Sequence, residues 1–271
     1  MRNRGFAIFV MLVVLGCTLA AAQTTTSGLN PPELFEKGMN ALEGSSATHS
    51  GANAIEYFRR SAELGFAPAQ VVLGFLYETG RTTTADPREA LEWYNKAALQ
   101  NDPLAQWLVG RMIYLGVVPP RDLNDASTWL EKSSAQGNPF AAYLLGRIAL
   151  ERNNYARSAD QFRKASEQGL PQAQRQLAIL LRDGRGVPLD QFEAYVWMLV
   201  SYDGGLRTVR TDLQALEAEL SSSQLEQAKS KARDLEASVT RSVVSHGCTG
   251  WRGELDDIPT PPPPDVQRFC R

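Results

Sequence analysis

Ala90–Gly116, ALEWYNKAALQNDPLAQWLVGRMIYLG, decides the fold. It reads as two short amphipathic helices joined at Asn101-Asp102-Pro103. The same pattern recurs on both sides of it. Gly74, Gly110 and Gly146 are spaced 36 apart, and the equivalent Ala178 follows after 32. Ala69, Ala105, Ala141 and Ala173 keep these offsets. So do Phe58, Tyr94, Leu130 and Phe162 in the preceding helix, and the small residues Ala62, Ala98, Ser134 and Ser166. Four columns in one register identify a repeat array. The four residues missing between the third and fourth copies fall at Arg152-Asn153-Asn154. There the loop represented by Gly116-Val117-Val118-Pro119-Pro120 is cut to a tight turn.

The columns have a physical reason. A small residue lets two helix backbones approach, and a large apolar residue fills the space beside it. No single pair can bury its apolar face alone, so the pairs must stack. The predicted fold is all-α: a right-handed α-solenoid of antiparallel helix pairs, with C-terminal capping helices and an irregular tail. Repeat helices are expected near 52–64, 68–79, 87–100, 103–115, 123–136, 139–151, 155–168, 171–182 and 190–203. A leading helix after Asn30-Pro31-Pro32 should run to about Glu43. Pro68, Pro103, Pro139 and Pro171 open the second helix of each pair, where the first-turn amide has no intrahelical acceptor.

At these residues the chain resembles the Sel-one-like repeat, a longer-loop relative of the tetratricopeptide repeat. Ala90, Trp93, Tyr94, Ala97 and Ala98 match its first helix, and Gly137 and Ala141 its connector. Ala69, Leu73, Gly74, Tyr77 and Gly80 match the second helix, and Gly184-Arg185-Gly186-Val187-Pro188-Leu189-Asp190 the loop. Asn101 and Ala178 stand where the pattern has Gly, and Gln161 where it has an aromatic. The resemblance covers about Ala52 to Glu236. It implies a scaffold that binds other proteins and a terminal helix that caps the last repeat.

Residues 1–22 read as a signal peptide, with Arg2 and Arg4 before the apolar run Phe6–Leu15 and an A-x-A site at Ala20-Ala21-Ala22. A lipoprotein signal at Val14-Leu15-Gly16-Cys17 is the rival, with Cys17 lipidated. A periplasmic or secreted location is expected, or a lipid-anchored one through Cys17. The mature chain should not span a membrane. Without Arg2 and Arg4, the 28 basic residues fall to 26 against 30 acids, a net of −4. That balance argues against nucleic acid as a partner.

Residues 23–29 read as a disordered lead-in, 30–204 as the solenoid and 205–246 as capping helices. One capping helix is expected over Leu206–Leu220. A second opens with a capping box at Ser223-Gln224-Leu225-Glu226. Residues 247–271 form a tail with a polyproline segment at Pro261–Pro264. Cys248 and Cys270 are expected to pair in an oxidising compartment, contributing roughly 3 kcal/mol, the alternative being two free thiols.

Catalytic signatures are scarce. The two histidines, His49 and His246, are far apart, and no H-E-x-x-H, C-x-x-C or G-x-S-x-G is present. No catalysis, cofactor or metal is expected. Trp93, Trp129 and Trp197 share one column and read as core. An envelope hydrolase or glycan-acting enzyme using Asp256-Asp257 is the alternative of another class.

The resemblance implies an inner wall lined by the second helix of each pair. Carried across, its columns hold Val71, Trp107, Tyr143 and Arg175; Phe75, Arg111, Arg147 and Ile179; and Glu78, Tyr114, Leu150 and Arg182. Spacing i, i+4 sets Trp107 beside Arg111 and Tyr143 beside Arg147. Cation–π stacking would hold the guanidinium planes and leave donors for carboxylates. The expected partner is a protein or peptide, possibly acidic, contacting Trp107, Arg111, Tyr143, Arg147, Arg175 and Arg182. The other reading has these arginines pair with acids such as Glu131 or Glu151 and merely solvate the wall. On the first reading, Arg111→Glu with Arg147→Glu abolishes capture at unchanged thermal stability.

Overall fold

The structure is a computed structural model that describes residue 28 and residues 30–43, 51–81 and 83–245. In chain order the helices are α1 (Pro31–Glu43), α2 (Gly51–Glu63), α3 (Ala67–Thr79), α4 (Pro87–Leu99), α5 (Pro103–Leu115) and α6 (Leu123–Ala135). Next come α7 (Pro139–Glu151), α8 (Tyr155–Glu167), α9 (Pro171–Asp183) and α10 (Gln191–Asp203). A 3-10 turn at Arg207–Val209 leads into α11 (Arg210–Ala218), and α12 (Ser222–Ser245) follows. No strand occurs among the described residues. Each of the nine repeat helices expected from sequence begins and ends within one residue of its observed bounds.

Helices α1 to α10 are all 13 residues long. Local chemistry fixes their ends. Asp86, Asp102, Asp122, Asn138, Asn154 and Asp190 accept first-turn amides as N-caps. Asn30 and Glu33 form a reciprocal capping box on α1, at 3.0 and 3.1 Å. Each three-residue connector needs one residue in the left-handed region. Gly65, Gly137, Gly169 and Gly205 supply it, and Asn101 takes the same place at φ +68°. Asn tolerates that conformation better than other side chains do, so the departure from Gly leaves the turn intact.

Three-residue connectors alternate with seven-residue ones, except at 152–154, where the long connector is replaced by a second short one. Asn153 takes the left-handed position there, at φ +56°. The tighter packing runs across the long connectors, joining α1 with α2, α3 with α4, α5 with α6 and α9 with α10. The shortened α7–α8 hairpin packs as tightly. This corrects the pairing drawn from Ala90–Gly116, which joined the helices flanking each short connector.

The glycine column explains the difference. A Cβ on Gly74 would lie 2.6 Å from the Tyr94 ring, on Gly110 2.6 Å from Leu130, and on Gly146 2.6 Å from the Phe162 ring. Gly38 meets Phe58 in the same way, at 2.7 Å. Backbone and large side chain touch across each hairpin, as the columns require.

The helices form two rows. Helices α3, α5 and α7 are buried around most of their circumference, and α5 and α7 touch each other directly. They form the inner row. The outer row, α2, α4, α6 and α8, keeps one solvated face. Trp93 and Trp197 are buried on outer helices, while Trp129 is half-buried.

At the C-terminal end the register persists and then breaks. Arg207 lies where a sixth inner helix would begin, 36 residues after Pro171, and Val209 and Leu216 are buried like their column mates. Gln214 falls in the glycine column, however, so no second helix can approach. The segment starts as a 3-10 turn rather than the continuous helix expected over Leu206–Leu220. α12 packs on α10 instead and barely touches α11. Its capping box uses Ser221 and Gln224, two residues earlier at the serine than the sequence reading placed it.

Candidate functional site

The inner wall is built by α3, α5, α7 and α9, one helix of each repeat contributing the same columns. The two predicted pairings form, one on α5 and one on α7. The Arg111 guanidinium lies 5.6 Å from the Trp107 ring centre, and Arg147 on α7 lies 6.0 Å from that of Tyr143. Arg147 also donates to the Tyr143 hydroxyl at 3.3 Å.

Burial changes what these residues can do. Trp107 is 0% exposed, Tyr143 1% and Arg111 5%. Trp107 packs against Phe140 of the next inner helix at 5.4 Å, and Tyr143 against Phe162 at 5.7 Å. Both aromatic rings are therefore core rather than surface, a correction to their expected place on the open wall. The inner helices sit too close together for a large ring at that column to stay outside the interface. Arg111 is spent on the Glu78 carboxylate of α3, which also accepts from the Tyr94 hydroxyl at 2.9 Å. Burial pushes the Tyr94 phenol well above its ordinary range, with the Glu78 charge adding to it. This Tyr94–Glu78–Arg111 triad links three successive helices of the array. Glutamate at position 111 would set two carboxylates together in the core, so Arg111→Glu is no stability-neutral test of the wall.

A second network lies at the α5–α7 edge. Glu151 accepts from Arg121 at 2.8 and 3.0 Å and from the Tyr114 hydroxyl at 2.7 Å. Burial works to raise the Glu151 carboxyl, but hydrogen bonds from Arg121 and Tyr114 and the charges of Arg121 and Arg147 outweigh it and hold it low. Tyr114 is pushed up to about 12, first by burial and then by Glu151. Glu131 pairs with Arg157, on the outer row. Glu131 is thus engaged by an arginine of the outer row, while Glu151 is bonded by Arg121 and also feels the charge of Arg147 on the wall.

Arg147, Arg175 and Arg182 remain half-buried, on α7 and α9. Arg182 bonds Asp183 at 2.7 Å and reaches Asp212 of α11 at 3.5 Å. Half-buried Leu104, Phe140, Leu150 and Ile179 share this wall by column. Its accessible part is a basic and apolar strip over α7 and α9.

Sequence reading passed over a polar ladder along the short connectors. Buried Gln70, Gln106 and Gln174 donate to the carbonyls of Ala62, Ala98 and Ser166 at 3.0, 3.4 and 3.2 Å. Gln100 and Gln136 donate in turn to Gln70 and Gln106 at 2.8 and 2.9 Å. Gln70 and Gln106 are 36 apart, so the column was visible. His49, His246, Cys248, Asp256, Asp257 and Cys270 lie outside the described residues, as do the signal peptide and Cys17. Among the described residues, no group of three or more His, Cys, Asp or Glu could hold a metal ion, and no helix is long and apolar enough to cross a membrane.

A two-row stack of short helix pairs with an interdigitated inner row defines an α-solenoid repeat protein. The chain belongs to the Sel1 repeat family, whose model matches residues 39–66, 67–102, 103–138 and 171–206. The matched blocks at 67, 103 and 171 begin with an inner helix. Residues 139–170, which the match omits, hold the α7–α8 pair with the shortened connector. No curated protein matches the chain. Among solved structures it is similar to a protective antigen of uropathogenic Escherichia coli strains displaying an SLR fold, at 26% identity and a TM-score of 0.68. That match covers 84% of this chain and 50% of the antigen, so the chain spans half the antigen's length. It is also similar to a Sel1 repeat protein from Oxalobacter formigenes, at 26% identity and a TM-score of 0.66, covering 79% of this chain and 93% of that one. The Sel1 fold is generally a protein-interaction scaffold, and proteins of the family are typically non-enzymatic.

Proposed function

We propose that this chain is an exported, non-catalytic scaffold that holds an acidic protein segment against its inner wall. The observation that carries the reading is the set of half-buried guanidinium groups Arg147, Arg175 and Arg182 on two successive inner helices of a Sel1 array. Trp107, Arg111 and Tyr143 are buried within the packed wall. Tyr143 orients Arg147 through its ring and hydroxyl. A guanidinium held this way meets a carboxylate with less loss of freedom. The flanking Leu104, Phe140, Leu150 and Ile179 offer apolar area, and such a mixture of Arg and apolar contact is typical of interfaces.

The reading is tested with an array of acidic peptides, both internal segments and free C-termini, probed with the mature chain. Binding is expected, and it should weaken as salt rises. The double substitution Arg147→Gln with Arg175→Gln, which brings no new carboxylate to Glu151, should reduce it at least tenfold while leaving the triad in place. No bound peptide, or binding indifferent to the double substitution, overturns the reading. The Arg2 and Arg4 leader supports export, and the mass of the mature N-terminus distinguishes cleavage after Ala22 from lipidation at Cys17.

A further inference from the structure

The last arginine of the inner wall is Arg182, the penultimate residue of α9. Two acids meet it, and they meet it unequally. Its neighbour Asp183 takes one edge of the guanidinium, with Nε donating at 2.7 Å to one carboxylate oxygen and Nη2 at 3.4 Å to the other. A two-point pair of this kind fixes the plane of the group. The opposite end of the fork is held more loosely. There Nη1 reaches Asp212 of α11 through a single contact at 3.5 Å.

A carboxylate that fits a guanidinium edge makes bonds of about 2.7–2.9 Å, commonly two of them. Asp212 falls short of that because it belongs to another element. α11 packs on α10 rather than on α9, so the place of its acid is set by a different contact. The Arg182 and Asp212 side chains are 33% and 35% exposed, and a pair so open to water adds little to stability. Apolar surface lies close by in the register. Leu150 of α7 shares the Arg182 column, and Ile179 stands one turn earlier on α9, both half-buried.

On the reading that the wall holds an acidic segment, we propose that the Nη1 edge of Arg182 is the subsite for an aspartate or glutamate side chain of the partner, and that Asp212 is an internal stand-in which that side chain displaces. The exchange trades one long contact for shorter ones and returns Asp212 to water. Asp183 keeps its own edge throughout, so the guanidinium stays aimed. Leu150 and Ile179 receive an apolar residue beside the incoming acid. Being tethered, Asp212 competes at high effective concentration. Being poorly placed, it competes weakly, and it tunes affinity without closing the site.

Calorimetry with the mature chain and a terminally blocked peptide of alternating glutamate and leucine tests this. Asp212→Asn should bind the peptide roughly two- to fivefold more tightly than the wild type, the range a partly exposed ion pair can supply. Its thermal transition should match that of the wild type. Arg182→Gln should weaken binding, and Arg182→Gln with Asp212→Asn should bind no more tightly than Arg182→Gln alone. Glu131→Gln removes the same charge from the outer row and should leave the affinity unchanged. No gain in Asp212→Asn, a gain that survives Arg182→Gln, or an equal gain in Glu131→Gln overturns the proposal. Failure of the blocked peptide to bind overturns it too, and acidic peptides captured in the array would then keep the scaffold reading while this subsite is given up.

Discussion

Three side-chain roles recur at the residue scale: a glycine that admits a neighbour, a large residue that enters, and a buried charge that ties repeats together. The glycine column is strict where the entering group is rigid. A Cβ on Gly146 would stand 2.6 to 3.0 Å from three Phe162 ring atoms, and a planar ring cannot bend away. In the α9–α10 hairpin Ala178 replaces the glycine, and by register its opposite is Met198, whose unbranched chain can yield. Gly146→Ala should therefore cost about 1–3 kcal/mol by overpacking. The added substitution Phe162→Met recreates the pairing of the last hairpin and should recover part of that loss. Denaturant unfolding of the two single variants and the double variant gives the coupling, and strict additivity would refute the account. These columns were legible because size repeats at a fixed interval. The fate of the wall aromatics was not, since Trp107 and Tyr143 have the composition of a binding surface and only the close spacing of inner helices makes them core. The Glu78–Arg111 pair was hidden for a related reason. Its members stand 33 residues apart in different columns, and periodicity shows only like above like.

At the scale of the element, connector chemistry sets the alternation of rows. Seven residues cross every hairpin except α7–α8, which takes three, and three residues pass to the next pair, turning through one left-handed residue. Asn101 meets that conformational demand and adds side-chain bonds, accepting from Gln106 at 3.0 Å and pairing with Gln136 across the repeat. Asn101→Ala should thus destabilise by about 1–2 kcal/mol, since an L side chain in this region costs that much and the amide bonds are lost as well. Asn101→Gly relieves the backbone and should cost less. Equal loss in thermal melts of the two variants would show that the backbone conformation does not matter here. The same scale explains where helix prediction failed. Leu206–Leu220 has helical periodicity and follows a proper connector, so it reads as one continuous capping helix. Gln214 at the glycine column denies it a hairpin partner, and the segment frays into a 3-10 start and a nine-residue helix. One residue at the contact column outweighed a periodic apolar pattern.

Across the whole molecule, the linear arrangement makes stability a local quantity, because each pair touches only its neighbours. The two ends solve the same problem with different means. On α1 the exposed positions Pro32, Glu33, Glu36, Lys37 and Asn40 present a largely polar face to solvent. At the other end α10 would show its stacking flank, and α12 lies over it. Removing residues 222–271 should therefore strip protection from α9, α10 and α11, since Val209 and Leu216 also depend on α10. Helices α3 to α6 should keep theirs, because α9 to α11 make no described contact of substance with them. Hydrogen exchange of the truncated chain gives the answer helix by helix. Loss confined to the C-terminal pairs is what a stack of semi-independent units produces. Loss spread evenly from α1 to α10 would mean that the chain unfolds as one cooperative body, and neighbour-only coupling would have to be given up.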